Sequence, residues 1–359
     1  MIYIIYLISI LFLGIFVKFN CGTSLKEKKQ HIFIYVGFVY LIGWLIMGFR
    51  GLYVGKDTIN YFEIYNHIKD IKFNKIISES DIEPGWGLIA WVNHYLHGNY
   101  LTFQLTISGI LCELARRFTT KIVFHLPGYH VFTITIIIFF YFFLIGLNIS
   151  RQIISVLFVG NGLLYLIDRR RTSAYLNLIY ALMFHYSSIL ALPMFIIWNL
   201  RNWKYLYMTG IISLFLIFIG MKLILEVVLS MGLYVNYVNP DTTTFQEAGF
   251  AKVIWLGIAI LSIYIIIRKK YFNSFVRVSA LFSIIYVFFN FLSSDVSYIE
   301  RIGLYFLPFV CVPYVAIGNY IKYNPVKISY FTCVVGLYSV WFLLSSRSDQ
   351  YVYQISTLL

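Results

Sequence analysis

The stretch "VFTITIIIFFYFFLIGL" at 131–147 contains no charged residue, and similar runs recur along the whole chain. A helix made from such a run has no polar face to offer water. It can cross most of a hydrocarbon layer roughly 30 Å thick, at about 1.5 Å of rise per residue. The composition agrees. The 359 residues are 60% hydrophobic and 12% charged, with 33 Phe and 31 Tyr, and a soluble domain of this size carries about twice that charge fraction. The runs are continuously apolar rather than alternating, so a membrane β-barrel is excluded. The fold class is an all-α polytopic membrane protein, with 1–359 a single integral membrane domain.

Candidate spans fall at 2–17, 32–49, 87–111, 131–147, 152–167, 205–221, 253–267, 278–293, 302–321 and 328–344, about ten in all. The first has no basic residue ahead of it and no small-residue cleavage site, so it reads as a retained helix with its N-terminus outside. Lysine and arginine collect in cytoplasmic loops, which also accounts for the net charge of +13 without a nucleic-acid partner. Lys18, Lys26, Lys28 and Lys29 place the first connector inside; Arg116, Arg117 and Lys121, then "DRRR" at 168–171, follow on the same side. Residues 201–204 and "RKK" at 268–270 belong inside as well, so 172–200 must enter and leave on one side. It holds two apolar runs of about a dozen residues around "HYS", each long enough for roughly half the bilayer. A re-entrant helical hairpin with His185 near its tip fits this pattern; one long tilted helix is the competing reading. Both termini and two long loops, 50–86 and 222–252, come out on the outer side.

Four polar stretches then share that side: "FRGLYVGKDTINY" at 49–61 running on to Glu83, "NISRQ" at 148–152, "FHYSS" at 184–188, and "SSDVSYIERIGLY" at 293–305. A single arginine at the mouth of a span serves as an interfacial anchor. Arg50, Arg151 and Arg301 on one face, each beside other polar groups, point to an anion, because the guanidinium fork suits phosphate oxygens. Arg151 also opens a helix, where free N–H groups favour negative charge. His185 interrupts an apolar hairpin and is a candidate acid, base or phosphate-binding cation. Asp57 and Glu83 bracket the first outer loop beside Gly55 and Gly85, which allow tight turns. Cys21, Cys112, Cys311 and Cys333 are widely spaced and read as packing residues; no metal-ligand spacing or cofactor motif is present.

Taken in order, "FRGLYVGKDTINY", "EPGWGLIAWV", "NISRQIISVLFVG" and "FHYSSILALP" resemble the EpsG-type branch of Wzy-like bacterial polysaccharide polymerases. The matching positions are Arg50, Gly55, Asp57 and Tyr61; Glu83 and Gly85; Arg151 and Gln152; His185 and Ser187; and Arg301 later in the chain. Lys56 stands where the family more often has a small polar residue. The resemblance implies a GT-C-like polymerase or ligase architecture in the bacterial cytoplasmic membrane, with the site facing the periplasm or outside. It implies transfer of a glycan from undecaprenyl pyrophosphate to another lipid-linked repeat unit, such as those of O-antigen, capsule or exopolysaccharide. The partners would be the lipid-linked donor and acceptor, membrane lipids and a chain-length regulator, with no cofactor. Arg151, Arg301 and Arg50 would hold the pyrophosphate, with Gln152, Tyr61 and Ser187 beside the substrate and His185, Asp57 or Glu83 handling the acceptor hydroxyl. Arg50 has ordering of the first outer loop as its other role. The rival activities are a flippase or exporter of the same lipid-linked unit, and another polyprenyl-dependent glycosyltransferase or ligase.

Overall fold

The computed structural model describes residues 2–20, 25–75, 82–126, 130–199, 248–292 and 297–347, and these are helical with no β-sheet. The helices are α1 (Ile2–Asn20), α2 (Leu25–Gly48), α3 (Thr58–Ile68), α4 (Pro84–Tyr95), α5 (Tyr100–His125), α6 (Val131–Asn148) and α7 (Ser150–Ile167), followed by α8 (Arg171–Phe184) and α9 (Leu192–Asn199). After the segment outside the described residues come α10 (Ala248–Ile267), α11 (Ser274–Leu292), α12 (Ser297–Gly303), α13 (Cys311–Tyr320) and α14 (Asn324–Ser345).

Five of these, Glu27–Gly48 of α2, α6, α7, Ser274–Phe291 of α11 and α14, are long and apolar enough to cross a membrane. Of the ten expected spans, 2–17 and 253–267 fall on shorter apolar helices, Ile2–Ile15 and Ala251–Ile267, and two others are broken. The run at 87–111 is not one helix: it breaks between α4 and α5, where His97 has φ 56° and Asn99 caps α5 by accepting from the Thr102 N–H at 3.0 Å. Such left-handed geometry and an N-cap stop a helix whatever its hydropathy. The run at 302–321 is likewise broken, into the end of α12, a short 3-10 turn at Leu307–Phe309 and α13. Pro308 lies in that turn, and a proline cannot donate to a continuing helix. The expected span at 205–221 and most of the outer loop 222–252 lie outside the described residues.

Helix α6, apolar on every side, is buried over nearly its whole length within the bundle. Around it, α5 runs antiparallel to α2 and α6, and α7 antiparallel to α6. Tyr40 on Thr119 at 2.7 Å and the Trp44 indole donating to the Leu105 carbonyl at 2.8 Å set α2 against α5. Phe118 on Phe142 and Leu111 beside Gly146 set α5 against α6. Asn161 donating to the Leu114 carbonyl at 3.0 Å, with Asp168 beside His125, runs α7 along α5. Buried tyrosines fill the core with their rings, and Tyr6 donates its hydroxyl to the Val39 carbonyl at 2.6 Å. The basic connectors gather at one end: Lys29 lies over Phe124, His125 meets Asp168 at 3.3 Å and also packs on Phe275.

From that end α8 rises beside α7, the chain turns at His185 through a 3-10 segment (Tyr186–Ala191), and α9 descends. Phe195 of α9 packs on Tyr175 near the start of α8, and Trp198 reaches Phe275 at the basic end. The turn thus stands at the opposite end of the bundle, beside the one-residue break at Ile149 that separates α6 from α7.

Candidate functional site

Three chain reversals deliver the polar residues to that end. At the first, Gly55 has φ +91°, and a Cβ there would lie 2.1 Å from the Leu147 carbonyl oxygen, so only glycine fits. This close approach seats the loop after α2 on the α6–α7 turn, where the Lys56 N–H donates to the Asn148 side chain. The Lys56 side chain is exposed, so its bulk does not keep the loop from the site. Gly85 does not make a turn; it sits in the first turn of α4, where a Cβ would be 2.8 Å from the Met183 carbonyl oxygen. That contact brings Glu83, at the start of α4, against the end of α8.

Glu83 is the junction. Its Oε2 accepts from Arg151 Nη1 at 2.5 Å and its Oε1 pairs with His185 Nδ1 at 2.6 Å. A carboxylate can only accept, so Nδ1 carries the proton and Nε2 of a neutral ring is left as an acceptor. Burial pushes the Glu83 carboxyl up, but the bond from His185 and the Arg151 charge outweigh it and hold it below its usual range. The Arg151 guanidinium lies over the Tyr61 ring, 5.4 Å from its centroid, and Tyr61 in turn packs on Trp86 at 4.8 Å. Arg151 Nε and Trp86 Nε1 are buried N–H groups without an acceptor among the described residues.

Asp57 ends the first loop at the start of α3 and is half-buried. Burial raises its carboxyl above the usual range, partly opposed by the charges of Arg301, Arg151 and Lys56. It forms no ion pair within 4 Å among the described residues. Arg301 is held through its backbone: Gln152, one residue after Arg151, donates to the Arg301 carbonyl at 2.7 Å. Ser187 shares a hydrogen bond of 2.9 Å with the buried Tyr305 hydroxyl. Arg50 is 3% exposed and donates to the Met47 carbonyl at 3.0 Å, while Gln104 donates to the carbonyls of Gly48 and Arg50, each at 2.8 Å. Of the two roles open to Arg50, these contacts serve the ordering of the loop.

The structure therefore brings Glu83, Arg151 and His185 into direct contact, with Asp57 and Arg301 near enough to feel one another's charge. The Tyr61 ring, the Gln152 NH2 and the Ser187 hydroxyl lie against protein partners, while Gln152 Oε1 is buried without a donor among the described residues. Sequence reasoning missed Gln104, Trp86 and Tyr305. An amide in the uncharged first half of α5, residues 100–112, was a signal for Gln104, whereas nothing marks Tyr305 among 31 tyrosines. Among the described residues no group of three or more His, Cys, Asp or Glu could hold a metal ion.

A helical bundle with five membrane-length apolar helices, bearing at one end a glutamate shared by a histidine and an arginine, defines a polytopic membrane protein with a charged terminal site. The comparison with known families narrows this. The chain belongs to the EpsG family, whose sequence pattern matches residues 33–356 and so takes in every residue of the site. No curated protein and no solved structure matches the chain.

Proposed function

We propose that the protein is a polysaccharide polymerase of the bacterial cytoplasmic membrane, working at the outer face. It would transfer a glycan from undecaprenyl pyrophosphate to the sugar of another lipid-linked repeat unit. The observation that carries this reading is the Glu83 carboxylate, which joins His185 Nδ1 to Arg151, whose buried Nε–H has no acceptor among the described residues. That is a base and an anion-binding group fixed side by side.

His185 Nε2 accepts the proton of the acceptor hydroxyl as its oxygen bonds to the anomeric carbon of the donor. The bond from that carbon to the pyrophosphate oxygen breaks, and its electron pair leaves on the pyrophosphate. Arg151 and Arg301 stabilise the departing charge electrostatically. Glu83 keeps the proton of His185 on Nδ1 and steadies the imidazolium that forms. Asp57 faces both arginines and orients the acceptor. On this reading the hairpin enters from the cytoplasmic side, and its irregular tip is tolerated because it is packed in protein.

The test is to delete the gene in a strain that makes the surface glycan and complement it with His185→Ala or Arg151→Ala. Single repeat units on lipid, with the variants present at normal level, support polymerisation. Chains of normal length in either variant refute the assignment, and loss of all surface repeat units in the deletion favours a flippase.

A further inference from the structure

Helix α4 runs from Glu83 to the α5 boundary and is apolar on both of its faces. Its inner face is accounted for. Trp86 packs on Tyr61 and Phe103, Ala90 is fully buried, the Asn93 amide pairs with the Tyr65 hydroxyl at 2.7 Å, and His94 Nε2 donates to the Tyr65 carbonyl at 2.8 Å. Asn93 and His94 are thus engaged with Tyr65, which leaves the Tyr95 hydroxyl as the polar atom of the outer stripe. The opposite face presents Leu88, Val92, Tyr95 and Leu96, which are 37%, 40%, 70% and 71% exposed. They stand at i, i+4, i+7 and i+8, a single stripe on one side of a helix. At the edge of that stripe Trp91 stacks on Tyr95 with centroids 5.4 Å apart and planes 14° apart, and the exposed Phe73 closes on Trp91 at 4.9 Å.

We propose that α4 is an interfacial helix whose Leu88–Val92–Tyr95–Leu96 face lies in the head-group and acyl boundary of the lipid leaflet at the site end of the bundle. Water is a poor partner for a stripe without a polar atom except one phenol, whereas aromatic rings flanking aliphatic ones suit that boundary. A glycan is the other occupant an outward aromatic cluster would suit, but a sugar needs hydrogen-bonding groups beside the rings, and those of Asn93 and His94 are engaged with Tyr65. The helix that carries the stripe is also joined to the membrane-length part of the bundle. The end of α4 is tied to the start of α5 through Asn93 and Thr102, and α5 packs along α2, whose outward row Phe33, Phe38, Leu41 and Leu45 is apolar and exposed. Because Glu83 begins α4, the helix would fix the Glu83–Arg151–His185 cluster at the depth of lipid head groups. A pyrophosphate joined to a membrane lipid sits at that depth.

The test measures depth and is independent of the reaction proposed above. The full chain, with Cys21→Ser and Cys333→Ser to remove competing thiols, carries a nitroxide at Val92→Cys or, in a second protein, Leu96→Cys. A label at Glu63→Cys on the exposed side of α3 serves as the aqueous reference. In vesicles of phosphatidylethanolamine and phosphatidylglycerol, oxygen should reach positions 92 and 96 several-fold better, relative to a nickel chelate, than it reaches position 63. Nickel access at 92 and 96 equal to that at 63 overturns the proposal. Nickel access at 92 that falls only on adding a soluble oligosaccharide overturns it in favour of a glycan platform.

Discussion

Replacing Glu83 by Gln keeps the shape of the side chain and removes the charge that both partners share. Two orientations of the amide are available, and each fails one neighbour. With the amide oxygen on Arg151, the NH2 faces His185 Nδ1 and forces the ring proton onto Nε2, where it can no longer act as a base. With the oxygen on His185, the NH2 meets the arginine donor head-on. Removing one partner of a fully buried ion pair costs about 3–5 kcal/mol. Here the glutamate side chain is 7% exposed but the arginine and histidine are 26% and 23% exposed, so solvent screens part of the loss. An expected destabilisation of about 1–3 kcal/mol follows. On the mechanism proposed above the effect on turnover is larger, because a misplaced general base forfeits about 10²–10⁴ in rate. The assay is polymer length and rate with the reconstituted protein, together with thermal unfolding in detergent. A Glu83→Asp control keeps the charge but reaches only one partner, and should fall between wild type and Glu83→Gln. Wild-type rate in Glu83→Gln would refute the shared-carboxylate reasoning outright.

Three further outcomes follow from the geometry. Arg151→Lys should recover little of the activity lost in Arg151→Ala, since a single ammonium cannot hold Glu83 and an anion together as the guanidinium fork does; the comparison is polymer yield at matched protein level. Gly55→Ala should lower thermal stability by more than the ~1 kcal/mol typical of a helix-interior glycine change, because a Cβ would strike the Leu147 carbonyl at a φ that alanine avoids. An unchanged melting point would count against the tight loop seat. For Asp57 the folded carboxyl titrates above its unfolded range, so its contribution to stability is present at low pH and is lost as pH rises through the raised value. Asp57→Asn should therefore melt higher than wild type at neutral pH, with the difference vanishing under acid. A gap that widens as pH falls would reverse the assignment of burial as the cause.

Much of this protein is decided by residue order alone. Runs such as 131–147 cannot satisfy water, so membrane helices follow from hydropathy. The clustering of lysine and arginine in alternate connectors is enough to infer which ends of the helices lie together. Candidate residues could also be singled out, because Arg151, His185 and Arg301 are charged or ionisable groups in sequence that otherwise avoids them. What residue order could not supply was their pairing. Glu83 lies 68 residues from Arg151 and 102 from His185, and only the close packing of Gly85 on the Met183 carbonyl carries its carboxylate between them. The same holds for Ser187, whose hydroxyl packing assigns to Tyr305, 118 residues away. Helix breaks at 96–99 and around Pro308 escaped hydropathy because a left-handed turn or a missing N–H ends a helix without changing its apolar character. Hydrophobicity acts through summed area and is legible residue by residue, whereas hydrogen bonds depend on direction and distance. Those the tertiary structure alone decides.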